Sequence, residues 1–235
     1  MPKKKTEHLK TLVAVVLDES GSMYNIADET RGTFNQYFDD IERTDAETLV
    51  TVAEFSGRSV TDKVRFLCKS TNVKDMPYLD ENNYRPGGDT PLLDAIGETI
   101  RAVENEKVDR FLLVILTDGF ENASKEFTKD SIQKLIKEKE ATDKWTVVYL
   151  GAGLDNIRRE QQWLAASSLG FGVGSFRAPD ATPGAFAGGL NALRGSTISY
   201  LSSTEKATTN FFQPEEDETE ESEGLWTPDK VKTKS

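Results

Sequence analysis

Histidine and cysteine are nearly absent from the sequence, with one of each in 235 residues, and several kinds of site are therefore excluded. A Ser-His-Asp or Cys-His catalytic centre needs a histidine beside its nucleophile, whereas His8 lies in the charged stretch MPKKKTEHLK. A zinc site needs several His or Cys ligands. Because Cys68 has no second cysteine to pair with, we expect no disulfide within the chain, a reducing compartment and a cytoplasmic location.

Long apolar runs and a surplus of positive charge are also missing. The longest strictly apolar runs, residues 12–17 and 111–116, have six residues each, against the ~20 that a spanning helix needs, so we expect no membrane span. Asp18 interrupts the first run and no small-residue cleavage site follows, so a secretory signal is not expected either. With 29 basic and 40 acidic residues the net charge is −11. We therefore expect no nucleic-acid binding, which needs a basic face.

The excess of acidic residues is concentrated in one segment. Residues 214–223 (PEEDETEESE) contain seven acids and no base, and Trp226 follows them. A segment of this composition buries too little apolar surface to fold alone. We therefore expect a mobile charged arm over residues 1–10, one folded domain over residues 11–208 and an acidic disordered tail over residues 209–235.

Hydrophobic periodicity predicts alternating strands and helices. Short apolar runs and alternating segments indicate strands at residues 11–17, 48–56, 63–70, 111–117 and 146–151, the second and third forming a hairpin. Stripes of 3.6-residue period predict helices near residues 30–41, 91–105, 129–142, 157–169 and from Thr182-Pro183 onward. In the fourth helix, Ile157 and Leu164 are predicted to face the core. This order predicts an α/β doubly wound, mostly parallel sheet with one antiparallel edge strand and helices on both faces.

Three polar segments occur where such a sheet places its ligand site, at the carboxyl ends of strands where the winding reverses. DESGS (residues 18–22) follows the first strand, GGDTP (residues 87–91) precedes a helix, and TDG (residues 117–119) ends the fourth strand. Two carboxylates and three hydroxyls would converge there, and an all-oxygen set selects a hard cation, Mg²⁺, Mn²⁺ or Ca²⁺. The candidate metal ligands are Asp18, Ser20, Ser22, Thr90 and Asp118.

The spacing within DESGS supports this prediction. Residues two apart on an extended chain point to the same side, so Asp18, Ser20 and Ser22 can face one centre while Glu19 faces away. Neutral hydroxyl ligands leave the cation able to accept one more anionic oxygen. The sequence therefore predicts a site that binds a carboxylate.

These segments resemble the metal-ion-dependent adhesion site of the von Willebrand factor type A domain. The family pattern is DxSxS, then a threonine in a glycine-rich loop, then an aspartate in TDG, and the sequence reads DESGS, GGDTPL and LTDG in that order. The resemblance extends over roughly residues 11–205 and is closest to small stand-alone bacterial and phage members. It implies that Ser20, Ser22 and Thr90 contact the metal directly and that Asp18 and Asp118 hold it mostly through water.

The resemblance also implies a function. A partner protein's Asp or Glu carboxylate would take the sixth metal position, so that the domain is a cation-dependent protein-binding module and not an enzyme. Asp89, beside Thr90, or Glu121, in DGFEN, could instead supply a carboxylate of this chain to that position.

Other interpretations stay open. Each of the five residues can serve turn or cap chemistry, and Thr90 before Pro91 is by itself a good helix N-cap. A magnesium-dependent phosphohydrolase of the haloacid-dehalogenase type also has an Asp after its first strand, but the second Asp of its DxD motif is Ser20 here. The domain could also be a scaffold whose acidic tail carries recognition. Self-association is possible, because the tail offers the carboxylates that the site would accept.

Overall fold

The wholly apolar runs of the sequence form the centre of a six-stranded sheet in the computed structural model. The strands are β1 (Thr11–Asp18), β2 (Thr48–Phe55), β3 (Val64–Asn72), β4 (Arg110–Thr117), β5 (Trp145–Gly151) and β6 (Phe176–Arg177). Their order is β3-β2-β1-β4-β5-β6, and every neighbouring pair is parallel except β2 and β3. The sheet confirms the predicted doubly wound fold with one antiparallel edge strand.

Five α-helices pack around this sheet. They are α1 (Ala27–Glu42), α2 (Leu92–Val103), α3 (Lys129–Glu140), α4 (Asn156–Ser168) and α5 (Ala185–Ser202). Short 3₁₀ turns occur at Gly21–Ile26, Val73–Asp75 and Val173–Ser175.

The structure describes residues 9–59, 61, 63–152, 156–179, 182 and 184–212. The predicted arm before residue 9 and the acidic run after residue 212 lie outside these residues, and both remain predictions. Within the described part of the chain, no helix is long and apolar enough to cross a bilayer.

Alternation along the central strands sends side chains into two cores. Val13 and Val15 of β1 pack on the side of α1 and α5, whereas Leu12 and Ala14 pack on the side of α2 and α3. The stripe predicted for the first helix is buried as expected, at Thr30, Phe34, Tyr37, Phe38 and Ile41. Because both faces of β1, β4 and β5 are covered, these strands are buried along their whole length.

The strand register brings the ends of β1 and β4 to the same edge of the sheet. Leu17 in β1 lies beside Leu116 in β4, so that Asp18 and Thr117 follow at one level. The chain order reverses between these two strands, since β2 and β3 continue on one side and β5 and β6 on the other. Doubly wound sheets bind their ligands at such a reversal.

The buried face of α4 differs from the prediction. Ile157 and Leu164 are 68% and 58% exposed, so the expectation that they face the core was wrong. The buried residues of this helix include Gln162 and Ala166. Gln162 can occupy a core position because its amide makes two buried hydrogen bonds, to Tyr149 and to the carbonyl of Gly119.

Two other elements differ from their predicted form. The strand β6 was not predicted, because its two residues are too few to show a period of two. The helix α5 begins at Ala185, later than the predicted start at Thr182-Pro183, of which Pro183 lies outside the described residues. Its N-cap residue is Gly184 with φ 84°, a conformation that glycine adopts without strain.

The packed body continues past residue 208, where the predicted domain ends. Phe211 and Phe212 are buried, and the Phe212 N–H donates to the Gly174 carbonyl at 2.8 Å. The Arg177 guanidinium donates to the Phe212 carbonyl at 2.8 Å. The chain is therefore held along the outer edge of the sheet as far as Phe212.

Candidate metal centre

The five predicted ligands come together at the reversal between β1 and β4. Ser22 Oγ donates to Asp118 Oδ1 at 2.5 Å, although the two residues are 96 positions apart. Ser20 Oγ lies 3.1 Å from Ser22 Oγ. Around them opens a cleft of about 380 Å³, whose lining includes Ser20, Ser22, Thr90, Asp118 and Gly119.

Gly119 shows how close Thr90 and Asp18 come to each other. A Cβ atom on Gly119 would lie 2.8 Å from Thr90 Oγ1 and 3.1 Å from Asp18 Oδ2. The two oxygens are therefore no farther apart than the sum of those distances. A side chain at position 119 would displace one of them, which explains why glycine follows Asp118.

Asp18 lies behind Gly119, which lines the cleft. Its carboxylate is fully buried, and it accepts hydrogen bonds from the Ser20 N–H at 2.7 Å and from Thr117 Oγ1 at 2.5 Å. The Tyr84 hydroxyl donates to the Asp18 carbonyl at 2.8 Å. The Asp18 carboxylate thus performs the turn chemistry considered for it.

Burial sets the electrostatics of the two aspartates. Desolvation raises the pKa of Asp18, against hydrogen bonds from Thr117 and Ser20 that lower it. Desolvation also raises the pKa of Asp118 to about 7; the Ser22 hydrogen bond lowers it, the Asp18 charge raises it, and the charge of Arg158 lowers it. A buried carboxylate beside a half-buried one is costly as a pair of anions, and a divalent cation between them would reduce that cost.

Thr90 is held by its backbone and not by cap chemistry. Its N–H donates to Asn122 Oδ1 at 2.8 Å, and its carbonyl accepts from the Asn122 N–H at 3.1 Å. The N-cap residue of α2 is Pro91, so the interpretation of Thr90 as the helix cap was wrong. The first amides of α2 are instead satisfied by other side chains, and the Thr90 hydroxyl is left to face the cleft.

Glu121 is one of the side chains that cap α2. Its Oε2 accepts from the Leu93 N–H at 2.9 Å and from Ser124 Oγ at 2.7 Å. Its Oε1 accepts from the Ala123 and Ser124 N–H groups at 2.9 and 2.7 Å. Both oxygens of the Glu121 carboxylate are thus engaged in hydrogen bonds within the loop and at the start of α2. Glu121 is not among the described residues that line the cleft.

The glycine pair before Thr90 positions that residue against the first loop. Gly88 has φ 79°, and a Cβ atom there would lie 2.5 Å from Arg58 N. The Gly21 N–H donates to the Gly88 carbonyl at 3.0 Å, and the Gly87 N–H donates to the Glu19 carbonyl at 2.9 Å. Asp89 points to solvent and is not among the described residues that line the cleft.

A second acidic pair lies beside the cleft, on the other side of the β1 end. Glu19 faces away from the five residues, as its spacing predicts, and accepts from Arg58 Nη2 at 2.8 Å. Arg65 Nη2 lies 2.6 Å from Glu54 Oε2. Among the described residues neither oxygen of buried Glu54 has an aligned hydrogen bond, and desolvation raises its pKa to about 8.

Sequence reasoning missed the residues that brace the site. Gln162 donates to the Gly119 carbonyl at 3.1 Å while accepting from the Tyr149 hydroxyl at 2.9 Å. Asn122 is hydrogen-bonded to the backbone of Thr90, and the Tyr84 hydroxyl is hydrogen-bonded to the Asp18 carbonyl. Of these three residues, only Asn122 lies in a segment named in the sequence analysis, DGFEN. Nothing in a single sequence marks Gln162 or Tyr84 as part of a site.

The donor set suits a hard cation. Among the described residues there is no group of three or more His, Cys, Asp or Glu side chains that could hold a metal ion. The cleft instead combines two carboxylates with three hydroxyls, all oxygen donors, which is the chemistry of Mg²⁺, Mn²⁺ and Ca²⁺ sites. Zinc or copper sites would need nitrogen or sulfur ligands.

The mouth of the cleft is partly apolar. Phe120 lines the cleft and is 37% exposed, and Tyr24, two positions after Ser22, is 74% exposed. Arg158 also lines the cleft, next to exposed Ile157 in the first turn of α4. We call these four residues the rim: Phe120 and Arg158 line the cleft, and Tyr24 and Ile157 are close in sequence to residues that line it.

The strand order and the oxygen-lined cleft at its reversal define a doubly wound α/β domain of the ligand-binding type. The chain belongs to the von Willebrand factor type A domain family, whose sequence profile matches residues 13–170. Domains of this family mediate protein–protein and adhesive interactions and typically bind a divalent cation.

Solved structures show the same fold at low sequence identity. The PilB minor pilin of Streptococcus sanguinis is 13% identical, with a TM-score of 0.65 over 84% of this chain and 63% of that one. The von Willebrand domain of the pilus tip protein Mfa5 of Porphyromonas gingivalis is 9% identical, with a TM-score of 0.61 over 84% and 98% of the two chains. The SpRpn10 VWA domain is 13% identical, with a TM-score of 0.51 over 78% and 94%. No curated protein matches the sequence.

Proposed function

We propose that this chain is a divalent-cation-dependent protein-binding module, in which the cation bridges the cleft to an Asp or Glu carboxylate of a partner protein. Ser20, Ser22 and Thr90 would hold the cation directly, and Asp18 and Asp118 would hold it through bound water. Mg²⁺ is the first candidate, with Mn²⁺ and Ca²⁺ as substitutes. The bound cation would supply a strong acceptor for one further anionic oxygen.

The observation that carries this proposal is the meeting of three distant segments in one oxygen-lined cleft. Ser22 Oγ lies 2.5 Å from Asp118 Oδ1, and Thr90 Oγ1 and Asp18 Oδ2 both border the same glycine. Turn chemistry explains the hydrogen bonds that the Asp18 carboxylate accepts. Neither turn nor cap chemistry explains why the Thr90 hydroxyl lies at the cleft. A cation accounts for the whole set.

Among the described residues, three carboxylates close to the cleft are directed elsewhere. Glu121 is bound to backbone amides at the start of α2, Glu19 is paired with Arg58, and Asp89 points to solvent. An outside carboxylate can therefore reach the cation. The same arrangement supports a binding role and not phosphohydrolase chemistry, since Ser20 takes the place of the required second acid.

Cation titration tests the proposal directly. We expect Mg²⁺ or Mn²⁺ to bind the wild-type chain in isothermal titration calorimetry, and Thr90→Ala to weaken that binding by about tenfold or more. Thr142→Ala is the matched control, because Thr142 is exposed and precedes β5 at the opposite edge of the sheet. Unchanged cation affinity in Thr90→Ala would contradict the assignment of the site.

Partner capture tests the bridging step. Proteins recovered from a lysate with the wild-type chain in Mg²⁺ should be lost in excess chelator and with Asp118→Ala, and kept with Thr142→Ala. Capture that persists in chelator would contradict a cation bridge even if the cation itself binds.

A further inference from the structure

The cleft and its rim offer two kinds of contact side by side. The oxygen-lined floor would hold a divalent cation, and Arg158 adds a positive charge at the mouth. Phe120 adds exposed apolar surface at the cleft, and the exposed side chains of Tyr24 and Ile157 lie within two positions of residues that line it. An occupant that matches this surface needs several carboxylates followed closely by a large apolar side chain.

One segment of the same chain has that composition. Residues 214–223 hold seven acids and no base, and Leu225 and Trp226 follow within three positions. No base separates the acids from the tryptophan, so the whole stretch complements a cation, an arginine and aromatic rings together.

The end of the described chain lies within reach of the cleft. One strand, β5, separates β4 from β6, so Arg177 in β6 lies about 10 Å from the end of β4. Because the Arg177 guanidinium binds the Phe212 carbonyl, Phe212 lies on the order of 20 Å from Asp118. Six extended residues span about 20 Å, which is the separation of Phe212 from Glu218.

We propose that residues 214–226 of this chain dock on the cleft and rim of the same molecule, with one of their carboxylates completing the cation's ligand shell and Trp226 packing on the rim. This inference rests on the proposed function, because it uses the same cation and the same open position. A tethered segment acts at an effective concentration in the millimolar range. An outside partner must therefore displace it, and only partners that bind better than this segment would be retained.

Hydrogen–deuterium exchange of the full chain tests the docking. Amides of residues 214–226 should exchange about fivefold more slowly in Mg²⁺ than in chelator, which is the slowing expected when the docked state is about four times as populated as the free state. The slowing should disappear in Thr90→Ala, persist in Thr142→Ala and stay the same when the protein is diluted. Slowing that vanishes on dilution would show docking onto a second copy and would overturn the proposal.

A peptide competition gives an independent test. The tail-neutral variant is the full chain with the seven acids replaced, as E215Q, E216Q, D217N, E218Q, E220Q, E221Q and E223Q. In Mg²⁺, a synthetic peptide of residues 214–226 should bind this variant about fivefold more tightly than it binds the wild type, whose own segment competes with the same docking constant. The same peptide with the seven replacements should not bind. Equal affinity for the two proteins would overturn the proposal.

The outcomes separate this inference from the function on which it rests. If Mn²⁺ or Mg²⁺ binds the wild-type chain and partner capture depends on it, but residues 214–226 exchange equally in Mg²⁺ and chelator, the docking alone is wrong. If neither cation binds the wild type or the tail-neutral variant, the proposed function fails and the docking fails with it.

Discussion

Two acidic pairs flank the end of β1, and they obtain their counter-charge in different ways. Glu19 and Glu54 face Arg58 and Arg65, which belong to the same chain. Asp18 and Asp118 receive hydrogen bonds from hydroxyls, and the charge of Arg158, which lines the cleft, also acts on Asp118. Adjacent residues, Asp18 and Glu19, thus enter two unlike environments because successive side chains point to opposite sides.

The difference supports the proposal that Asp18 and Asp118 form a ligand site, whereas Glu19 and Glu54 form a structural pair. An arginine beside a carboxylate supplies a counter-charge from within the chain whenever that carboxylate is ionised. Hydroxyl partners orient the carboxylates without neutralising them, which is why we propose that a cation from solution supplies counter-charge there. Charge pairing within the chain therefore distinguishes the two pairs better than burial does, since Asp18 and Glu54 are both buried.

The largest effect should come from filling the gap beside Asp118. Gly119→Ala would place a Cβ atom 2.8 Å from Thr90 Oγ1 and 3.1 Å from Asp18 Oδ2, and we expect cation affinity to fall by about 10- to 100-fold. Calorimetric titration measures this, with Gly172→Ala as control, because a Cβ atom on Gly172 meets nothing within 4 Å. Full affinity in Gly119→Ala would mean that Thr90 and Asp18 do not act together.

Removing the arginine of the glutamate pair should affect stability and not cation binding. Arg65→Met leaves Glu54 without its partner at 2.6 Å, and we expect a loss of about 2 kcal/mol above pH 8, where Glu54 is ionised. Urea unfolding measures it. Lys134→Met, in an exposed pair with Glu138, should cost less than about 0.5 kcal/mol. A large fall in cation affinity in Arg65→Met would show that the two pairs are not independent.

Titration of Glu54 should be visible in the pH dependence of stability. Its pKa is raised from 4.5 to about 8 in the folded chain, so the folded state holds this proton more tightly than the unfolded state does. The resulting stabilisation is complete below about pH 4.5 and is lost as the pH rises through 8. In chelator, the free energy of unfolding of Glu54→Gln should fall less steeply than that of the wild type between pH 5 and 8, by about 1 kcal/mol. Parallel curves would contradict the raised pKa.

The smallest effect should come from the brace behind the cleft. Gln162→Leu removes the donor to the Gly119 carbonyl at 3.1 Å, and we expect cation affinity to fall about threefold while the loop loosens. Gln36→Leu, whose amide bonds Asp40 on the exposed surface of α1, serves as the control. Equal cation affinity in the two variants would show that Gln162 does not support the site.

The fold and the candidate ligands could be predicted because their signals are local. A wholly apolar run that ends in Asp18, or in Thr117-Asp118, marks both a buried strand and the polar residue at its carboxyl end. Parallel strands then bring such residues to one edge without any knowledge of side-chain contacts.

The features that could not be predicted depend on tertiary hydrogen bonds. Gln162 is buried because it forms hydrogen bonds with Tyr149 and Gly119. Hydrophobic periodicity alone predicts that Ile157 and Leu164 are buried instead, and both are exposed. Glu121 caps α2 from 28 positions away, so the local Thr90-Pro91 signal named the wrong cap. Composition likewise does not show that Phe211 and Phe212 pack on the sheet edge.

The bond between Ser22 and Asp118 has a thermodynamic consequence. It joins residues 96 positions apart, so the unfolded polypeptide contains no comparable arrangement of oxygens, and ions that occupy the cleft select the folded state by mass action. At an ion concentration about 100 times the dissociation constant, that preference is worth about 2.7 kcal/mol. The melting temperature of this chain should therefore rise with magnesium concentration. A thermal scan would then measure the occupancy of the cleft by the cation.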